Sequence, residues 1–295
     1  MIGQYPIVGF DTSSHNRLVD DGPLSEPIFA GIRSGLFFRF AGLSIDELIA
    51  TPDRHERAAL FAACGRLQHG PTDCIYPHNE LVKLLVRAHD TSPASFDWKA
   101  VDVRAREYER LIQDSSLIAD DALSAQQRES LLQTQKSYKQ VFAALRTKLE
   151  RVFSTHGALP PPTFRDAVDR AQNASPNLVL SFAKMLYDVP AGTDAPEEIV
   201  EEFIRVCPPF RALVYAMLMT WYDSAVRDRH TGEKYQAGRN DLFMCGHLPY
   251  VDKFVTAEKK GEQQKCLREI AAVANLDTEI LSYDDFCSGF LVHVG

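Results

Sequence analysis

Apolar residues follow two rhythms along this chain, and the change from one to the other divides it. Near both ends, short apolar runs stand between polar turns and helical stretches: Ile7-Val-Gly-Phe10, Leu36-Phe-Phe-Arg-Phe40, Asp252-Lys-Phe-Val-Thr256 and Glu279-Ile-Leu-Ser282. Runs of that length, rich in Phe, Val and Ile, predict buried strands. The first ends in Asp11-Thr-Ser-Ser-His-Asn16, a polar stretch that reads as a turn. The spacing then lengthens to the helical period. Residues 27–33 predict a short helix, and 41–50 another, in which Ser44 and Glu47 have the spacing of a capping box. Residues 52–69 follow as a helix with Leu60, Ala63 and Leu67 on its apolar side, then Ile75-Tyr76 as an extended piece and 79–89 as a helix. Strands alternating with helices predict an α/β layout with a parallel sheet.

From residue 97 to about 236 the strand rhythm is absent and helices follow one another. In 126–153, Leu131, Tyr138, Phe142, Leu145, Leu149 and Val152 share one face. Breaks are expected at 157–162 and 188–196, with Pro196 in the first turn of an acid-led helix. Residues 210–226 are apolar all round, which predicts a helix packed inside. The strand rhythm returns after 237: a helix from about Asn240 that carries Asp241 and is closed by Pro249, a strand over 252–256, a helix over 263–274, a strand at 279–282 and a helical turn at 284–286. The expected organisation is an α/β domain in two parts, 1–96 and 237–295, interrupted by an all-helical insertion over 97–236.

Composition narrows the function. The chain has 295 residues, 45% hydrophobic and 24% charged, an ordinary globular balance that supports a sizeable core. A net charge of −8 excludes coating of nucleic acid through bulk charge, so a polyanionic partner would need a local basic patch or a bound metal. One patch exists: between Arg128 and Arg170 there are eight Lys or Arg against four Asp or Glu. Within it Lys136, Lys139 and Arg146 form a narrow helical stripe, readable as a solvated face or as a track for a phosphate backbone. The six cysteines are scattered without a C-x-x-C pair, which suits a reducing, cytoplasmic setting. The opening residues lack the features of a signal peptide, and the most apolar helix falls short of the ~20 residues a bilayer requires, so no membrane association is expected.

Four carboxylates stand at element ends or helix starts: Asp11, Glu47, Asp241 and Glu258. The carboxyl edge of a parallel sheet is where such folds bind ligands, and the 17 residues from Asp241 to Glu258 suffice for a helix and a strand to return the chain to one edge. Clustered acids repel unless a cation sits among them, so this set implies Mg²⁺ or Mn²⁺ and phosphodiester hydrolysis. Thr256 and Ser13 are candidates to hold a ligand side chain or a phosphate. Asp252 opens its strand and should lie at the opposite edge in a structural role. Asp46 competes with Glu47, and the neighbours Ile45, Leu48 and Ile49 do not decide which points inward. His247 lacks partners at zinc spacing and is expected to be a packed or exposed histidine.

The arrangement resembles the PIN-domain nucleases. The residues that carry the resemblance are Gly9-Phe-Asp11-Thr-Ser-Ser-His-Asn16, similar to the family's first strand, acid and Thr/Ser/Asn turn; Glu47 in Ser44-Ile-Asp-Glu-Leu, similar to its second acid; Asp241, similar to its third; and Phe254-Val-Thr256-Ala-Glu258, similar to its strand-Thr-x-acid signature. Thr278-Glu-Ile-Leu-Ser-Tyr-Asp-Asp-Phe is similar to the last strand and following turn. The resemblance implies a three-layer α/β/α fold and metal-dependent cleavage, more often of RNA than DNA, with Asp11, Glu47, Asp241 and Glu258 as metal ligands. It also implies dimers as a common state and leaves room for a regulatory protein partner. The chain departs from the pattern in having Glu258 where aspartate is commoner, and in its length. The rival expectation is a catalytically silent module of the same shape that binds RNA or a protein.

Overall fold

The computed structural model describes residues 6–34, 37–68, 74–154, 161–223, 239–258 and 262–291. Among them the chain is mostly helical around a small parallel sheet. In order it forms β1 (Ile7–Phe10), α1 (Thr12–Asp20), α2 (Glu26–Ser34), β2 (Phe37–Phe38), β3 (Phe40–Ala41), α3 (Gly42–Ile49), α4 (Arg54–Leu67), β4 (Cys74–Ile75) and α5 (His78–Thr91). Helices α6 (Arg106–Gln113), α7 (Asp121–Ser154), α8 (Phe164–Asn173), α9 (Leu178–Ala191), α10 (Glu197–Val206) and α11 (Pro208–Tyr222) follow. The last part comprises α12 (Arg239–Leu242), a 3-10 run over Phe243–Tyr250, β5 (Lys253–Thr256), α13 (Glu262–Ala274), β6 (Glu279–Ser282) and α14 (Tyr283–Leu291).

The main sheet has the order β2-β1-β5-β6 and every pairing in it is parallel. From β1 the chain runs to β2 on one side, while β5 lies on the other. The carboxyl ends of β1 and β5 are therefore a topological switch point, where connections leave in opposite directions and open a crevice. A second parallel pair, β3 with β4, continues the edge beyond Arg39. The tight spot in that pair is Gly42. A Cβ there would lie 2.5 Å from the Ile75 carbonyl oxygen and 2.6 Å from the ring of Pro77, so only glycine lets α3 start beside β4.

Strand alternation sends the sheet's side chains into two cores. Val8, Phe10 and Val255 pack with α1, α3 and α4, whereas Phe254 and Ile280 pack with α11 and α13. Phe10 is fully buried and meets Phe38 edge-to-face at 4.9 Å and Phe286 at 5.5 Å. Burial of such a ring is worth about 2–3 kcal/mol, with some further gain from ring geometry. Helix α11 is buried on every side except at Pro208 and Arg211. Arg211 donates from Nε to the Ala274 carbonyl at the end of α13, tying the buried helix to the one that follows β5. Helices drawn from 97–236 thus share one core with the sheet. No single helix among the described residues is long and apolar enough to cross a membrane.

Several local expectations are corrected. The polar stretch after β1 is the first turn of α1, because the Asp11 carboxylate accepts from the Ser14 N–H and caps a helix. Ser44 does not cap α3. That helix begins two residues earlier with Ala41 at its cap, and the Ser44 hydroxyl donates to the Phe10 carbonyl at 3.2 Å. Pro249 does not close the helix that carries Asp241: α12 ends at Leu242, and Pro249 lies within the 3-10 run. Helix α9 continues through Pro190 to Ala191, where Gly192 in the left-handed region ends it. Pro196 is the N-cap of α10 rather than part of its first turn.

Candidate active site

Asp11 follows β1 directly and is 3% exposed. Its backbone N–H donates to the Val255 carbonyl, which holds it against β5. Its carboxylate accepts from the Ser14 N–H at 2.8 Å, the Ser13 hydroxyl at 2.8 and 2.9 Å, and the Thr256 hydroxyl at 2.7 Å. Ser13 is itself oriented, since its oxygen accepts from the Ala257 N–H at 2.9 Å and its one proton therefore goes to Asp11. Thr256, 3% exposed, likewise accepts from the Glu258 N–H at 3.4 Å while donating to Asp11. Two hydroxyls from opposite sides of the switch point thus fix one carboxylate.

Glu47 and Asp46 are separated by their partners. The Asp46 carboxylate accepts from the Tyr108 hydroxyl at 2.6 Å and is buried. The Thr12 hydroxyl, at the start of α1, donates to Glu47, which is only partly covered. Glu47 is thereby turned toward Asp11. Burial pushes its carboxyl up to about 7; the Thr12 hydrogen bond opposes this, while the charges of Asp11 and Asp46 add to it.

Asp241 lies in α12, next to the 3-10 run that packs on α11. Its carboxyl is pushed up to about 8, first by burial and then by the charges of Glu47, Asp11 and Glu258. Among the described residues, each charge acting on it is negative. Asp241 therefore shares one electrostatic neighbourhood with the other three acids. Glu258 completes the set two residues beyond β5; its Oε2 accepts from the Gln263 N–H at 2.6 Å, at the start of α13. Coulomb coupling reaches several ångströms further than coordination does. Among the described residues no three His, Cys, Asp or Glu side chains stand close enough together to hold a metal ion. The four acids are gathered, then, at charge-coupling range and not at coordination spacing.

The donor set itself is all hard oxygen and partly buried, and among the described residues no positive charge acts on Asp241 or Glu47. Such a set fits Mg²⁺ or Mn²⁺ and suits neither soft metals nor zinc. The other candidates fall elsewhere. Asp252 lies at the amino end of β5 and accepts from the Ile7 N–H at 2.7 Å, a clip between strands. His247 is buried and bonds the Tyr76 carbonyl through Nε2 at 3.0 Å. Lys136 is exposed on α7, a helix that packs against α3; the side chains of Lys139 and Arg146 lie outside those described.

Thr12 and Gln263 were not singled out from the sequence. Gln263 is 8% exposed, contacts the Thr256 hydroxyl at 3.2 Å and presents its N–H to Glu258. A Thr directly after the strand-ending acid is the signal that points to Thr12; nothing local marks Gln263. No family model, no curated protein and no solved structure matches this chain.

Proposed function

We propose that this protein is a metal-dependent nuclease that hydrolyses phosphodiester bonds, in RNA rather than DNA, on a PIN-like three-layer α/β/α scaffold. In this reading 1–96 and 237–295 form the scaffold and 97–236 is the helical insertion. The observation that carries it is the coupling of Asp241 to Asp11, Glu47 and Glu258 at the switch point between β1 and β5. Four acids from four separate elements come within charge-coupling range there and, among the described residues, no cation acts on Asp241, an arrangement that opposes folding unless a cation is part of the function.

Asp11, Glu47, Asp241 and Glu258 would hold Mg²⁺ or Mn²⁺, directly or through water, and the bound ion would supply Lewis acidity and positive charge toward a phosphodiester. The chain's own part is orientation. Ser13 and Thr256 keep both oxygens of Asp11 in place, Thr12 turns Glu47 toward the crevice, and the Gln263 N–H steadies Glu258. Partial burial weakens solvent screening, so the site's charges act strongly on a bound phosphate.

The test is cleavage of labelled single-stranded RNA and DNA with Mn²⁺, Mg²⁺ or EDTA, comparing wild type with Asp11→Asn and Asp241→Asn. The expected result is metal-dependent cutting, faster on RNA, that either substitution abolishes. Absence of cutting, together with no Mn²⁺ binding by calorimetry, would overturn the reading.

A further inference from the structure

At the amino end of the sheet, opposite the acids, lies a cavity of about 520 Å³ between the starts of β1 and β5 and the segment before α6. Three of its lining side chains are cationic: Arg39, Lys99 and Arg104. Two are aromatic. Trp98 and Tyr250 meet edge-to-face with ring centres 5.1 Å apart, and the Lys99 amine lies 5.4 Å from the Trp98 ring centre. The wall is built rather than incidental. Arg39 donates from Nη1 to the Tyr250 carbonyl at 2.7 Å, and Asp97 accepts from the Lys99 N–H at 3.0 Å to hold the turn that presents Trp98 and Lys99. Arg104 is gripped by Glu109 at 3.0 Å.

The two acids of the lining are both engaged by the fold. Asp252 accepts from the Ile7 N–H, and Asp102 accepts from the Arg104 N–H and pairs with Arg106, each of the latter at 3.2 Å. A cation therefore finds little here. A planar ring can stack on Trp98, a contact worth roughly 1–3 kcal/mol for a nucleobase, and an anionic group beside it meets the Lys99 amine, with the Arg39 guanidinium, which also holds the Tyr250 carbonyl, and the Arg104–Glu109 pair on the same wall. The volume lies within the usual ~300–1,000 Å³ of small-ligand sites.

We propose that this cavity binds a nucleoside monophosphate, with the base on the Trp98 ring and the phosphate at Lys99, flanked by Arg39 and the Arg104–Glu109 pair. The site is separate from the acid crevice and does not depend on the nuclease reading.

The test titrates the full chain, in EDTA, with nucleoside 5′-monophosphates, inorganic phosphate and free nucleosides, followed by tryptophan fluorescence and calorimetry. The chain has two tryptophans; Trp221 is 3% exposed and serves as the internal reference. The monophosphates should quench saturably, with phosphate or nucleoside alone at least about tenfold weaker, as expected when two subsites act together. Lys99→Ala, on the surface, should weaken binding about three- to tenfold, which by the usual scale is up to about 1.4 kcal/mol. Trp98→Phe should remove the quench and weaken the calorimetric affinity. Asp241→Asn should leave both unchanged. The proposal is overturned if millimolar nucleotide gives neither quench nor heat, if phosphate alone binds as well as the nucleotide, or if Lys99→Ala and Trp98→Phe bind like wild type.

Discussion

The two ends of one small sheet treat an aspartate in opposite ways. At the amino end, Asp252 is exposed, accepts the Ile7 N–H and sits in a region where charges are compensated, with Lys253 bonded to Glu279 and Arg104 to Glu109. At the carboxyl end, Asp11 is buried and held by hydroxyl and amide donors, and its charge acts on Glu47 and Asp241. The first arrangement is what stability alone produces. The second costs stability, because burial and like charge together push Glu47 and Asp241 well above the usual carboxylate range. The contrast between an end where acids are neutralised and an end where they are gathered is the ground on which the proposed chemistry rests.

The sharpest break in this comparison is a matched pair of substitutions. Asp11→Asn should lower metal-dependent cleavage by about 10²-fold or more, the scale seen when a preorganised electrostatic group is removed from a reacting centre. Asp252→Ala should leave the cleavage rate unchanged and cost about 1 kcal/mol, the net worth of one hydrogen bond, read as a lower urea midpoint. Equal losses of activity would erase the distinction between the ends.

The next effect runs in the opposite direction. With its carboxyl raised to about 8, Asp241 binds a proton in the folded chain that the unfolded chain releases above about 4. The native state thus binds more protons across that window, and stability from this group falls as pH rises through it. Asp241→Asn should therefore stabilise the metal-free protein at pH 8, by on the order of 2 kcal/mol after discounting for partial exposure, with the gain shrinking toward pH 4. Urea unfolding in EDTA at both pH values checks this. A variant that is destabilised, or whose gain ignores pH, would show that Asp241 does not share the acids' neighbourhood. The same substitution should abolish cleavage, so stability and activity would move apart.

A smaller effect concerns the hydroxyls. Thr256→Val removes the donor to Asp11 at nearly constant volume and should cost about 10–100-fold in metal affinity or activity, as loss of a ligand's outer partner does. Thr256→Ser should restore most of it. Manganese calorimetry with each variant separates this from a packing defect, which serine would not repair.

Much of this was legible in the sequence, and the rest failed for identifiable reasons. β1, β5 and β6 could be read because compact apolar runs have few other uses. The division of the second apolar run into β2 and β3 could not, since it is set by partners distant in sequence: β2 pairs with β1, and β3 pairs with β4. Asp11 stands out by position, whereas the polar Thr-Ser-Ser run after it suits a turn and a capped helix equally, and only the Asp11 bond to the Ser14 N–H decides for the helix. The choice between Asp46 and Glu47 was undecidable locally and is made by Tyr108 and Thr12, 62 and 35 residues distant. Gln263 was missed because glutamine in the first turn of a helix is ordinary until its neighbour Thr256 is known.

The smallest effect isolates the one departure from the acid pattern that the chain resembles. Glu258 reaches across the gap after β5 so that Oε2 meets the Gln263 N–H at the start of α13, where an acid also complements the helix dipole. Among the described residues, no hydrogen bond is made by its second oxygen. Glu258→Asp keeps the charge and withdraws it by one methylene, so it cannot hold both positions. If the extra length serves α13, the variant should lose about 0.5–1 kcal/mol of stability while its cleavage stays within about tenfold of wild type. If the length serves the metal, stability should hold while the Mn²⁺ affinity and the cleavage rate fall together. Helix capping should decide, because Oε2 is already committed at 2.6 Å to a backbone amide that has no intrahelical acceptor, and an aspartate would leave that amide to water.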